Sequence, residues 1–437
     1  MNTLSQTLGA RHALVERIES SEHAVLDICK RLVREKSENP PGDTGAVANV
    51  AVEILKAIAG VEIEFATAEY PIVNVVARLR GRRPGRRLVF NGHLDTFPIG
   101  DASHWSVDPL AGVELDGRLY GRGVSDMKGG IACSLYAFGL LAEYRDHWDG
   151  EVVVTLAGDE ETMGRRGTEY LLETVPHASG DAMICGDAGS PRVLRFGEKG
   201  MIWLDISTRG LSAHGAHVHL GDNAIENLLA ALSSLLSLRS LSVVAPAEVT
   251  RAIEAAKPLS EPISGEGESQ TLQSVTVNCG LFNGGRAANL VADRANASLD
   301  IRLPVGVTVS EVEARIIELL QPIPGLTFSV TRRFEPNWTS PEHEIMRAMQ
   351  AVGREVLGQE PALNMRVGAS DSRLYRSRGI PTVVCGLTPY NMGGPDEYVT
   401  LDDLFAVARI HTLTAFDFLS GAPRSRTDPP KGRDRHV

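Results

Sequence analysis

Apolar positions recur at helical spacing over residues 14–33 (Leu14, Ile18, Val25, Ile28, Leu32), which predicts one amphipathic helix. Asn39-Pro40-Pro41-Gly42 ends it in a loop, and a second helix is expected over 46–59. Short apolar runs then predict strands at 61–66, 73–79 and 87–90. Ile131, Leu135, Phe138 and Leu141 mark a helix after Met127. A strand at 151–157, a helix at 168–173 and a strand at 182–185 follow. Strands that alternate with helices predict an α/β fold: a mostly parallel sheet with helices on both faces.

Near Gly197 the pattern changes. A strand at 201–208 leads to a helix at 223–238, with Ile225, Leu228, Leu229, Leu232, Leu235 and Leu236 inward. The polar stretch 258–268 reads as an exposed loop, and strands at 274–283 and 295–303, a helix at 311–320 and a strand at 326–331 come after it. Two helices over a small antiparallel sheet make an α+β unit inserted into the α/β domain. From Pro341 the first pattern resumes, with a helix to Val356, a strand at 382–385 and a helix at 401–419. The expected organisation is therefore 1–196 and 335–421 as one catalytic domain, 197–334 as the insertion, and 422–437 as a disordered tail.

The 437 residues carry a net charge of −11 with His neutral, which offers no footprint for nucleic acid or an anionic membrane. No apolar run approaches the ~20 residues of a membrane span, and the amino-terminal segment lacks the basic-then-apolar order of a secretory signal. The five cysteines (Cys29, Cys133, Cys185, Cys279, Cys385) are scattered in apolar contexts without a C-x-x-C. Free buried thiols in a reducing cytoplasm are the expectation.

Candidate chemistry lies at the ends of the predicted strands, where an open α/β sheet presents its crevice. His93 and Asp95 follow the apolar run Leu88-Val89-Phe90, and extended geometry points both the same way. One of them binds a metal while the other orients it or its water, or else His93 is a hydrogen-bonded loop residue. Asp126 stands in Gly121-Arg122-Gly123-Val124-Ser125-Asp126-Met127-Lys128-Gly129-Gly130, a tightly shaped loop before a helix. A carboxylate there can bridge two cations or simply cap the helix. Glu160 and Glu161 follow the strand at 151–157, and adjacent carboxylates both stay ionised only beside a cation. One can bind metal while the other takes a proton from water; a solvated acidic turn is the alternative. Asp187, after the strand at 182–185, is a further candidate ligand.

Taken in this order, the segments resemble a known family. They are Asn39 to Gly42, His93 with Asp95, 105–109, 117–123, 126–130, 158–161, Asp187, Ala213-His214, 221–225, Asn289, Leu299-Asp300-Ile301-Arg302 and Pro395-Asp396-Glu397-Tyr398. The chain is similar to the zinc peptidase and deacylase family of acetylornithine deacetylase, succinyl-diaminopimelate desuccinylase, aminoacylase and bacterial glutamate carboxypeptidase. The resemblance implies His93 and Asp187 on one metal, Glu161 on a second, Asp126 between them, Glu160 as general base and Asp95 behind His93. It implies that 197–334 is a lid and dimerisation domain of a homodimer, and that its His214 reaches the partner's site to stabilise an oxyanion. Asn289 and Arg302, with Arg373 from Gly368-Ala369-Ser370-Asp371-Ser372-Arg373, would hold a small carboxylated substrate.

One position departs from the family. Relatives place a metal-binding His two residues before the Pro of the Pro-Asp-Glu segment, and here that residue is Gly393. The expectation is one tightly bound Zn (or Mn or Co), with a second site weak or absent. The expected reaction is hydrolysis of the amide bond of an N-acyl amino acid or small peptide by a metal-activated water. The departure leaves two alternatives: ammonia release from a small aromatic carboxylate, in the manner of 5-nitroanthranilate aminohydrolase, or a non-catalytic binding relative.

Overall fold

Why the site assembles follows from where three strands stop. In the computed structural model, which describes residues 3–421, the strand Arg87–His93 lies between Glu151–Ala157 and Ala182–Cys185, parallel to both. The register sets His93 opposite Ala157 and Asn91 opposite Cys185, so the three carboxyl ends come level. All three strands are almost wholly buried and mainly apolar, as a strand covered on both sides tends to be. Thr382–Val384 continues the parallel order beyond Ala182–Cys185. At the other edge Asn74–Arg80 and Glu62–Ala66 add antiparallel strands, so the sheet is mixed at that edge and parallel where the chemistry lies.

The chain divides into two compact units. Among the described residues, the first comprises 3–191, Arg347–Glu360 and 380–421; the second comprises Arg192–Met346 and Pro361–Gly379. The second unit begins five residues before the expected boundary at Gly197, because Val193–Glu198 pairs with Ala362–Arg366 and Asn337–Trp338, which belong to it. The expected tail, 422–437, lies outside the described residues. No helix among the described residues is long and apolar enough to cross a membrane. All five cysteines are free, and Cys279 differs from expectation in being partly exposed.

The second unit holds a four-stranded antiparallel sheet in the order Thr276–Gly284, Arg294–Leu303, Gly200–Arg209, Leu326–Phe334. Strict alternation gives it two unlike faces. Ile202, Leu204, Ile206, Ala297, Leu299 and Ile301 are buried with Leu228 and Leu235 of the helix Ala224–Leu236 and Val312 and Ile316 of the helix Val309–Leu320. Trp203, Asp205, Ser298, Asp300 and Arg302 occupy the other face and are partly or fully exposed.

Two expectations fail for local reasons. The first helix is two, Thr3–Ser21 and His23–Val33. The hydroxyls of Ser20 and Ser21 both donate to the Arg17 carbonyl, at 2.9 and 2.7 Å, and such side-chain bonds compete with the helical ladder at its end. The supposed loop 258–268 is instead the end of a helix, Ala247–Ser264, followed by a short one, Glu268–Leu272. Pro258 and Pro262 sit inside the first, each lacking one backbone donor. Ser260 and Glu268 face inward around the buried Arg195, whose guanidinium donates to Ser260 Oγ (3.1 Å), Glu268 Oε1 (3.1 Å) and the Met365 carbonyl (2.8 Å). Glu268→Gln is therefore expected to destabilise the protein by roughly 3–5 kcal/mol, since it leaves a buried guanidinium without its counter-charge. Urea unfolding measures this; a midpoint equal to wild type would remove the pair from the stabilising interactions.

Candidate functional site

His93 ends its strand and is buried with Asp95 and Asp187. Its Nδ1 lies 2.9 Å from the Asp95 main-chain carbonyl, which only accepts, so Nδ1 carries the proton. The Asp95 carboxylate is farther from that nitrogen, at 3.6 Å. The ring is thereby turned so that Nε2 faces Asp126 Oδ1 at 3.0 Å.

The Asp95 carboxylate has another task. It accepts from the backbone N–H of Glu160 and of Glu161, each at 3.1 Å, and from Asn39 Nδ2 at 2.8 Å. Asp95, two residues beyond the strand that ends at His93, thus holds the turn that carries both glutamates. Asn39 lies in the Asn-Pro-Pro-Gly loop, whose motif was visible in the sequence while its target was not.

Asp126 does not cap the following helix. That helix, Gly129–Glu143, has Lys128 at its cap without a side-chain bond, and Asp126 turns to His93. The glycines at the helix start explain how close the loops come: a Cβ on Gly130 would fall 1.9 Å from the Gly186 carbonyl, next to Asp187. The loop is pinned by Glu397, which accepts from Arg122 Nη1 (2.6 Å), Gly123 N (3.1 Å), Ser125 N (3.0 Å) and Ser125 Oγ (2.8 Å). Arg122 also donates to the carbonyls of Gly393 (3.1 Å) and Gly394 (2.9 Å). Burial raises the Glu397 carboxyl's pKa, while its bonds to Ser125 and the Arg122 charge oppose the rise. Arg122 and Glu397 are 275 residues apart, and sequence reasoning assigned neither a task.

His93, Asp126 and Glu161 each place a ligand atom within 4.8 Å of the others. Glu161 Oε1 is buried without a hydrogen-bond partner, and burial together with the charges of Asp126, Asp95 and Asp187 pushes its carboxyl up to about 9. The His93 pKa rises well above its ordinary value: burial opposes the charged ring, but Asp126 and Asp95 outweigh it. A partly buried carboxylate pair facing an imidazole nitrogen lacks positive charge, and a divalent cation supplies it, so the residues fit one. Asp187 acts on Glu161 through its charge and is not within the group of three. At neutral pH the metal-free protein holds protons on His93 and Glu161 that a cation must displace. Metal affinity is accordingly expected to climb as pH rises toward about 9, with proton release on binding. Calorimetry in buffers of different ionisation enthalpy reads that release; a pH-independent affinity without proton release would contradict it.

The remaining expected site residues lie in the second unit. His214 and Asn289 are brought side by side: Gly215 N donates to the Asn289 carbonyl at 2.7 Å and Val291 N to the Ala213 carbonyl at 2.9 Å. The His214 side chain is exposed and its Nδ1 accepts from Ala216 N at 3.1 Å. Arg302 pairs with Asp300 through Nε at 2.8 Å and Nη2 at 3.0 Å. Arg373 is buried, donates to the Ser370 carbonyl at 2.7 Å and stacks 5.2 Å from the Phe334 ring centroid.

A buried imidazole facing carboxylates beside the level ends of parallel strands is an arrangement suited to a divalent cation. Comparison makes the class specific. Residues 89–417 match the model of peptidase family M20/M25/M40, and the chain belongs to that family. It is 30% identical over 359 residues to a succinyl-diaminopimelate desuccinylase of Rhodospirillum centenum, covering 80% of this chain and 86% of that one. It is also 30% identical over 394 residues to the desuccinylase of Paracoccus denitrificans, covering 87% and 94%. In three dimensions it resembles an M20 family metallo-carboxypeptidase from Sulfolobus solfataricus, with a TM-score of 0.74, 19% identity, and 91% and 99% of the two chains covered. The protein is a metal-dependent hydrolase of amide C–N bonds.

Proposed function

We propose that this enzyme removes the acyl group from an N-acyl amino acid, or the terminal residue from a small peptide, with Glu160 as general base. The observation that carries the reading is the double anchor of Asp95 on the Glu160 and Glu161 backbone, which holds Glu161 in the ligand cluster and Glu160 next to it, near enough for its charge to act on His93. His93, Asp126 and Glu161 would hold the cation, with Asp187 adding charge. When bound, the cation, zinc in this reading, polarises the scissile carbonyl and acidifies the attacking water. Glu160 takes the proton of that water and returns it to the leaving amine. Asp95 keeps the His93 ring oriented through its carbonyl and the glutamate turn through its carboxylate.

Asn289, Arg302 and Arg373 are proposed to hold the substrate's carboxylate, and His214 to stabilise the oxyanion. The second unit then serves as lid and dimerisation domain, with the reaction cytoplasmic. The edge strand Thr276–Gly284, which exposes Leu281 and Phe282, supports a homodimer, because an unpaired apolar edge invites a second copy. Light scattering at the mass of one chain would remove that part of the reading.

A panel of N-acyl amino acids against their carboxamides tests the substrate class. The free acids are expected to be hydrolysed about 10-fold or more faster in kcat/KM, the worth of a charge-assisted bond. Equal rates would sink the carboxylate reading, and ammonia release without amide cleavage would favour the aminohydrolase.

A further inference from the structure

The open face of the second unit's sheet carries a row of side chains, one from each strand. Asn278 is opposite Asp300, Asp300 opposite Trp203, and Trp203 opposite Arg332. With Asp205 and Ser298 of the next row they line a cavity of about 460 Å³, the size of a small-molecule site.

The donors and acceptors in this row do not balance. Asp300 is committed to Arg302, which stands two residues along its strand, beside the row, and the remaining Arg302 nitrogen, Nη1, is buried without a partner. Trp203 Nε1 is likewise a buried N–H with no acceptor. Arg332 stacks its guanidinium 4.9 Å from the Trp203 ring centroid, and no carboxylate pairs with it among the described residues. Its pKa is pressed down by burial and by the neighbouring charge of Arg373. A stacked guanidinium keeps its edge N–H groups free for a planar anion. Buried donors without acceptors cost stability, and a bound acceptor recovers it. Asp205 and Asp300 on the same face disfavour a dianion such as phosphate, so the matching group is a singly charged carboxylate on an apolar or planar stem.

We propose that Arg332 and Trp203 form a carboxylate-binding site on this face, sharing the substrate's carboxylate with Arg302 and Arg373, and set the enzyme's preference among acyl substrates. The part concerning preference rests on the amide-hydrolase reading; the binding site itself does not. Neither residue belongs to the motifs that marked the family, and Arg332 looks in the sequence like half of a surface Arg-Arg pair.

The test uses the full-length, metal-loaded Glu160→Gln protein with N-benzoylglycine as probe and N-benzoylglycinamide as its neutral match. Binding is followed by tryptophan fluorescence, with Trp203→Phe identifying the reporter. Arg332→Ala is expected to weaken benzoylglycine roughly 10- to 100-fold and leave the amide unchanged. Arg332→Lys should recover only part, since an ammonium lacks the fork. In the active enzyme the same change should raise KM for the acid with kcat nearly constant. Equal affinity of the parent and Arg332→Ala for benzoylglycine, or no preference for acid over amide, overturns the proposal. If benzoylglycine binds through Arg332 and no amide of any kind is hydrolysed, the catalytic reading fails while this site stands.

Discussion

Glu160→Gln is expected to lower kcat by about 10²- to 10⁴-fold, the usual worth of a general base, with metal content unchanged. The substitution is nearly isosteric, and Asp95 holds residue 160 by its backbone N–H, so the turn keeps its shape. Glu161, His93 and Asp126 retain their places in the ligand cluster. The variant separates base from ligand: turnover collapses while metal analysis returns the wild-type value. Near-normal turnover would remove Glu160 from the role, and loss of the metal would make it a ligand instead.

Stripping the metal is expected to abolish hydrolysis, and a single divalent ion per chain should restore it. A cation at such a centre supplies several kcal/mol of charge stabilisation, on the order of 10³-fold in rate. His93→Ala should empty the site, because it removes the one nitrogen ligand of the group of three. Saturation near one equivalent follows from Gly393, which brings no side chain where the family has a His. Gly393 has φ +75, and a Cβ there would meet only Phe97, at 3.8 Å. A histidine is therefore admitted sterically at a backbone cost of roughly 1–2 kcal/mol, and Gly393→His should raise occupancy of a second site. Two ions bound tightly to the wild-type chain, resistant to mild chelation, would mean that another residue completes the second site.

Most of the fold was legible because its signals are local. The strands Glu151–Ala157 and Ala182–Cys185 coincide with their predicted bounds, since buried strands read as short runs dominated by apolar residues. The helix Leu401–Ser420 begins where Thr400 accepts from Asp403 N, a cap readable from composition. The segment 258–268 was misread for the opposite reason. Ser, Glu and Pro ordinarily face water, and nothing nearby in sequence announces that Arg195 is buried against them. The break at Glu22 was missed because the apolar spacing continues across it while two serine hydroxyls end the ladder.

The sequence by itself determined which residue types stand at the ends of which strands. Histidine, aspartates and glutamates after apolar runs mark a candidate metal site, because strand ends are where a parallel sheet presents side chains. It also determined that Gly393 offers no ligating side chain. Tertiary structure decided how each group is used. Asp95 serves His93 by its carbonyl and the glutamates by its carboxylate, a division set by loop geometry and not by residue type. Arg122 and Glu397 clamp the Asp126 loop across 275 residues, a pairing that no local pattern encodes. The row of Asn278, Asp300, Trp203 and Arg332 exists only through strand register. Local periodicity tells a strand which face is inward, but only the pairing of strands tells each side chain who its neighbours are.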